Sequence, residues 1–139
     1  MIVERPCLTL DGAEALIVAA RHAADALGAA VVVHVCDPAG DPLALVRMDG
    51  SPKFSLTVAA KKAWTAAAAG VDTAALAADF VGVPTLLHGV AAKVDELMPV
   101  GGGVPVVVDG SVAGAVGVSG ATEEQDHEIA AAAVASIGS

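Results

Sequence analysis

The stretch Gly101 to Gly120, GGGVPVVVDGSVAGAVGVSG, constrains the fold of this chain more than any other segment. Its three opening glycines carry no side chains, so their amides can come close to a ligand or to another part of the chain. Val104 to Val108 is too short and too β-branched to favour a helix, and it reads as a buried strand. Asp109-Gly110 supplies the two positive-φ residues of a type I′ hairpin turn. Val112 to Val118 then alternates Val with Ala or Gly, which gives a strand with one bulky face and one very small face. The small face is expected to lie against a helix, a neighbouring chain or a flat ligand. Thr122 and Gln125 have the spacing of a capping box and open a final helix.

A second hairpin is legible earlier in the chain. Val31 to Cys36 reads as a strand, Asp37 to Asp41 as a turn, and Leu43 to Met48 as the returning strand. Helices fill the intervals. Asp11 and Glu14 have capping-box spacing for a helix to about Leu27, stopped by Gly28. Ser51-Pro52 reads as a cap and first-turn proline ahead of a helix from Lys53 to about Ala69, stopped by Gly70. A shorter helix starts at Asp72 or Thr73 and runs through Ala78. Val83-Pro84 breaks any helix, Val90 to Leu97 regains helical spacing, and Glu123 to about Ile137 closes the chain. Both hairpin turns are too short for parallel crossovers. The expected fold is therefore α/β, an antiparallel central sheet from two hairpins flanked by helices. The 139 residues suit one domain, 1–139, with a substantial core.

Composition narrows the function. Apolar residues make up 55% of the chain and charged residues 17%, but aromatics only 2%. The formal charge of −9 and the shortage of stacking side chains argue against nucleic acid or an anionic membrane as partner. No run reaches the roughly 18 apolar residues of a membrane span. Glu4 and Arg5 interrupt the place where a signal peptide would have its apolar core, so a cytoplasmic protein is expected. Cys7 and Cys36 lack CxxC spacing and read as reduced, with Cys36 buried.

Several ordered motifs resemble one family. GGGVPVVVDG followed by GAVGVSG and EQD is similar to the C-terminal half of the GlcG/HbpS family, which includes the C-terminal domain of PduO. VVVHVCDPAGDPLALVRMDG resembles that family's first hairpin, and Lys62-Ala63 with Thr65-Ala66-Ala67 resembles its KA-x-TAA helix. The resemblance covers nearly the whole chain. It implies a profilin-like or PAS-like sandwich, assembly into homodimers or larger oligomers, and haem as a candidate cofactor, the family being described as haem-binding or haem-degrading.

Among single residues, Lys62 falls on a stripe of small residues with Ser55, Ala59, Ala66 and Ala69. There its ammonium could bind a carboxylate in a cavity, or snorkel to water. His88, in PTLLHG, has the setting of a side chain held at an ordered bend, suited to general-base work or to axial ligation of haem iron. Gly101, Gly102 and Gly103 read as a ligand-facing wall or, equally, as a tight bend. Arg47 and Asp49 share one strand face and read as an anion clamp or as a structural pair. His22 is expected at solvent or a subunit contact, His34 as a hydrogen-bonded core residue, and His127 as solvated. Asp126 is explained by the helix macrodipole. No pair has zinc-ligand spacing, and no nucleophile elbow is present, so neither a dedicated metal site nor a serine hydrolase is expected.

Three functions remain open at this level. The first is a small-molecule binding protein for haem or another tetrapyrrole, with the macrocycle on the Ala/Gly-rich strand or at a subunit interface. The second is an isomerase, lyase or hydrolase acting on a carboxylated or carbonyl substrate, with Lys62, His88 and Gly102 around one hollow. The third is a non-catalytic oligomeric accessory protein.

Overall fold

The computed structural model describes residues 1–138, and Ser139 lies outside them. Helix α1 (Leu10–Ala26) leads into a hairpin of β1 (Val32–Cys36) and β2 (Pro42–Arg47). Helices α2 (Ser55–Ala69) and α3 (Thr73–Val81) follow, then a π-helical turn at Leu86–Ala91. The second hairpin, β3 (Gly103–Val108) with β4 (Ser111–Ser119), precedes helix α4 (Glu123–Ser136). The strands form one antiparallel sheet of order β2-β1-β4-β3, so the two hairpins join through their inner strands. This is the mixed α/β sandwich that the two hairpin signals imply.

Strand alternation divides the sheet into two chemically distinct faces. Val33 and Val35 of β1 pair with Val118 and Val116 of β4, and all four point towards α1 and α4. There they meet Leu16, Ala20, Ile129 and Ala133, all fully buried. Each such Val, Leu or Ile contributes roughly 1.5–3 kcal/mol by leaving water, which makes this layer the main apolar core. The opposite face is built from small groups. Cys36 and Ala115 pack against Ala63, Ala66 and Ala67 of α2. Burial pushes the Cys36 thiol up to about 12, which leaves it inert at neutral pH.

The small face of β4 is thus filled by a helix. Gly117 lies directly under α2. A Cβ at this position would overlap the Ala59 carbonyl oxygen and stand 2.6 Å from Ala63 N. The glycine is required by backbone-to-backbone approach, and a macrocycle has no room on this strand.

Helix ends follow the expected chemistry with informative exceptions. Thr122 and Gln125 form the capping box of α4, and Gly70 ends α2 in the left-handed region. For α1 the cap is Thr9 rather than Asp11. The Thr9 hydroxyl accepts from Gly12 N at 3.1 Å, and the helix starts one turn-fraction earlier than the Asp11–Glu14 spacing suggests. Helix α2 begins at Ser55 instead of Lys53, because the Ser51 hydroxyl donates to Met48 O at 2.8 Å and so closes the preceding turn. Helix α3 extends three residues beyond Ala78, to Val81. In place of helical structure over 90–97 there is the π-helical turn followed by irregular chain.

The glycine contacts generate a paired prediction. Gly117→Ala should destabilise the protein by about 1–3 kcal/mol or more through overpacking against α2. Gly82→Ala should stabilise it by about 0.4–1 kcal/mol, since Gly82 has helical φ/ψ (−81°, −9°) and open space around it. Urea unfolding midpoints of the two variants check both signs.

Candidate functional site

Helix α2 crosses β4 so closely that the side chain one turn from Ala59 is driven to the far end of the sheet. That side chain is Lys62, and it is 2% exposed. Its Nζ donates to Val118 O at 2.9 Å and to Asp126 Oδ2 at 3.1 Å. Asp126 reaches this point because α4 starts immediately after β4. Its second oxygen accepts from Ala121 N at 3.0 Å, so the carboxylate ties the loop to the helix start. This is the one ion pair among the described residues. Burial holds the Asp126 carboxyl above the usual carboxylate range, and the Lys62 ammonium with the Ala121 amide opposes part of that rise.

The triple glycine wraps around this pair. A Cβ on Gly102 would lie 2.8 Å from Lys62 Nζ and 3.0 Å from Asp126 Cβ, besides overlapping the Val118 carbonyl oxygen. A Cβ on Gly103 would strike the Lys62 carbonyl and stand 2.7 Å from Thr73 Cγ2. Two of the three amides are engaged within the chain. Gly101 N donates to Glu123 Oε1 at 3.1 Å, and Gly103 N donates to Thr73 Oγ1 at 2.8 Å. Lys62 and Gly102 therefore meet, as their sequence settings suggested, but around a buried ion pair rather than an open hollow.

His88 does not join them. It is exposed on the π-helical turn, and the hollow beside the glycine bend is lined by Ala74, Ala77, Gly101, Glu123, Glu124 and His127. That hollow has a volume of about 330 Å³. His127 is half-buried instead of solvated, because the first turns of α4 pack beside the bend. Its Nδ1 is sealed from solvent without a hydrogen-bond partner among the described residues. His34 is buried as expected, but none of the hydrogen bonds among the described residues involves its ring.

Arg47 and Asp49 lie elsewhere, at the free end of β2. Both are exposed, and they line a polar hollow of about 470 Å³ with Arg21, Asp25, Val46 and Met48. A smaller hollow of about 150 Å³, lined by Val18, Arg21, His22 and Asp25, adjoins it through the shared Arg21 and Asp25. Two neighbouring hollows beside α1 thus carry an open imidazole and two guanidinium groups between them. Sequence reading placed His22 at the surface but did not connect it with Arg47. The link is tertiary, since it arises where α1 packs across β2. The nearest sequence signal was the adjacent Arg21-His22 pair on the polar side of α1.

The buried pair yields a stability prediction. Asp126→Ala should cost about 3–5 kcal/mol, because it strands the Lys62 ammonium in the interior. Lys62→Met combined with Asp126→Leu should recover most of that loss, as apolar replacements of buried pairs do. The raised folded-state value of Asp126 means that this carboxyl favours the fold at low pH and loses that contribution as pH rises through the folded value. Urea titrations at pH 7 and 5 should therefore show the cost of the double variant, relative to the wild type, growing at the lower pH.

Known proteins resemble this chain along most of its length. The protein GlcG of Escherichia coli K12 is 39% identical over 115 residues, 81% of each chain. The crystallised HbpS of Streptomyces reticuli, in a double-mutant form, superposes with a TM-score of 0.89 at 32% identity, covering 99% of this chain and 92% of that one. The crystallised PduOC–haem complex superposes with a TM-score of 0.87 at 34% identity, covering 95% and 96%. The family model described as haem degrading protein HbpS-like matches residues 8–135, and the chain belongs to the HbpS-like family.

Proposed function

We propose that this chain is a small-molecule binding protein for haem or a related tetrapyrrole, held on the outer face of α1. The observation that carries the proposal is the pair of neighbouring hollows, sharing Arg21 and Asp25, along which His22, Arg21 and Arg47 are all exposed. The PduOC relative crystallised with haem supports the ligand class.

The residues present fit such a group. The chain has no Tyr, so its axial ligand to haem iron would be a His nitrogen or a Cys or Met sulfur that an approaching macrocycle can reach. His22 is exposed on α1 beside the two arginines; His88 and Cys7 are exposed too but line neither hollow, His34 is nearly fully buried, and the Cys36 thiol stays protonated. Arg21 and Arg47 supply the planar cations that pair best with two propionate carboxylates. Asp25 and Asp49 line the same hollow. Val18, Val46 and Met48 offer the apolar contact that a ring needs. Bound haem would supply redox and oxygen chemistry at its iron. The chain's part is to present the imidazole, neutralise the carboxylates and shield one face of the ring.

An open depression shields only one face. A second copy of the chain covering the other face would complete the site, and we place the working protein as a homo-oligomer of the cytoplasm on this ground and on its two free cysteines. No helix among the described residues is long and apolar enough to cross a membrane.

Titration with hemin tests the reading. The wild type should show a shifted Soret band that saturates, and His22→Ala should abolish the shift or weaken binding at least about tenfold, equivalent to roughly 1.4 kcal/mol. Arg21→Ala and Arg47→Ala should each weaken binding without moving the band. His88→Ala should bind as the wild type does. No shift in the wild type, or one that survives His22→Ala and vanishes in His88→Ala, would overturn this site.

A further inference from the structure

The hairpin turn between β1 and β2 leans on α2 and leaves a slot of about 280 Å³ between them. Its walls are Trp64, Ala60, Pro42 and the backbone of Gly40. Gly40 has φ +88° and lies against the indole, and a Cβ there would stand 2.9 Å from Trp64 Nε1. The turn is therefore built to seat the aromatic ring. Among its lining residues is His34, 6% exposed, whose ring is engaged in none of the hydrogen bonds among the described residues. The ring is one of the slot's lining groups and no protein group occupies its nitrogens, so a ligand seated there can supply the partner.

We infer that this slot is a second small-molecule site, for a single aromatic ring bearing one hydroxyl. Size sets the class. A cavity of roughly 150 Å³ holds benzene, and ligand pockets begin at about 300 Å³, so this slot has room for one ring. The walls are apolar and include an aromatic face, which favours a flat, uncharged ring. Burial lowers the His34 pKa, so the imidazole is neutral and offers one acceptor nitrogen and one N–H. A phenolic hydroxyl both donates and accepts, and it satisfies either tautomer. Two charged residues also line the slot. Lys61 Nζ donates to Asp95 O at 2.7 Å, and Glu96 stands at the margin of the slot.

Trp64 is the chain's single tryptophan and reports directly on occupancy. Phenol, titrated with excitation at the red edge of the indole band, should change Trp64 emission saturably. It should bind about three- to tenfold more tightly than benzene, the preference one hydrogen bond confers. His34→Leu should erase that preference and keep the benzene response. In the wild-type protein, independently of any variant, the ring nitrogen resonances of His34 should shift on adding phenol and stay put on adding benzene. An absent or unsaturable emission change, equal affinity for the two probes, or an unmoved His34 resonance would overturn the proposal. None of these results bears on hemin binding, so this site and the His22 site stand or fall separately.

Discussion

At Gly117 and Gly103 helix α2 meets the sheet with no side chain between the two backbones, and the rest of the molecule is arranged around that contact. Gly117 admits the Ala59 carbonyl, and Gly103 admits the Lys62 carbonyl one turn later. A helix held at ordinary side-chain distance would leave Lys62 short of the loop that follows β4. At this distance its ammonium is delivered to Val118 O and Asp126, beyond the edge of the apolar core. The same approach explains the alanine content of α2, since Ala63, Ala66 and Ala67 are the largest side chains the narrow layer accepts beside Cys36 and Ala115.

Two consequences for function follow. The first is that the glycine bend serves the fold. Its amides hold Glu123 and Thr73, and its missing side chains make room for an ion pair that seals the end of the sandwich. A buried pair of this kind is weak as a source of stability but strict about geometry, since either partner alone is costly. The second is that ligand chemistry moves outward. With the small face of β4 occupied by α2, the accessible hollows lie outside the layers. One follows α1 and the end of β2, one lies beside the start of α4, one sits under the β1–β2 turn, and one of about 630 Å³ lies between the chain before α1, β3 and the end of α4.

Much of the fold is legible in the sequence because its signals are local. The Asp109-Gly110 turn, the Thr122–Gln125 capping box and the Gly28 and Gly70 stops each depend on residues within a few positions of one another. The segment from Pro84 to Met98 is not legible for the opposite reason. It is held by contacts from α2: Lys61 donates to Asp95 O, and the Thr65 hydroxyl accepts from Met98 N at 2.8 Å. Those bonds join residues more than thirty positions apart, and no period in the segment itself announces them. The candidate sites divide likewise. The small-residue stripe pointed to Lys62 as unusual, but Asp126 looked fully explained by its helix terminus, and only the fold shows the two together. The Arg47–Asp49 pair was visible on its strand, whereas its nearness to Arg21 and His22 arises from the packing of α1 across β2.

The central claim is that a macrocycle binds outside the sandwich because the small-residue face inside is already filled by α2. Paramagnetic broadening of backbone amide resonances by bound hemin locates the iron without any substitution. The account predicts broadening centred on Val18 to Asp25 and Val46 to Asp49, with Gly101 to Gly103 less affected. Broadening centred on the glycine bend, Ala115 and Gly117 would contradict it.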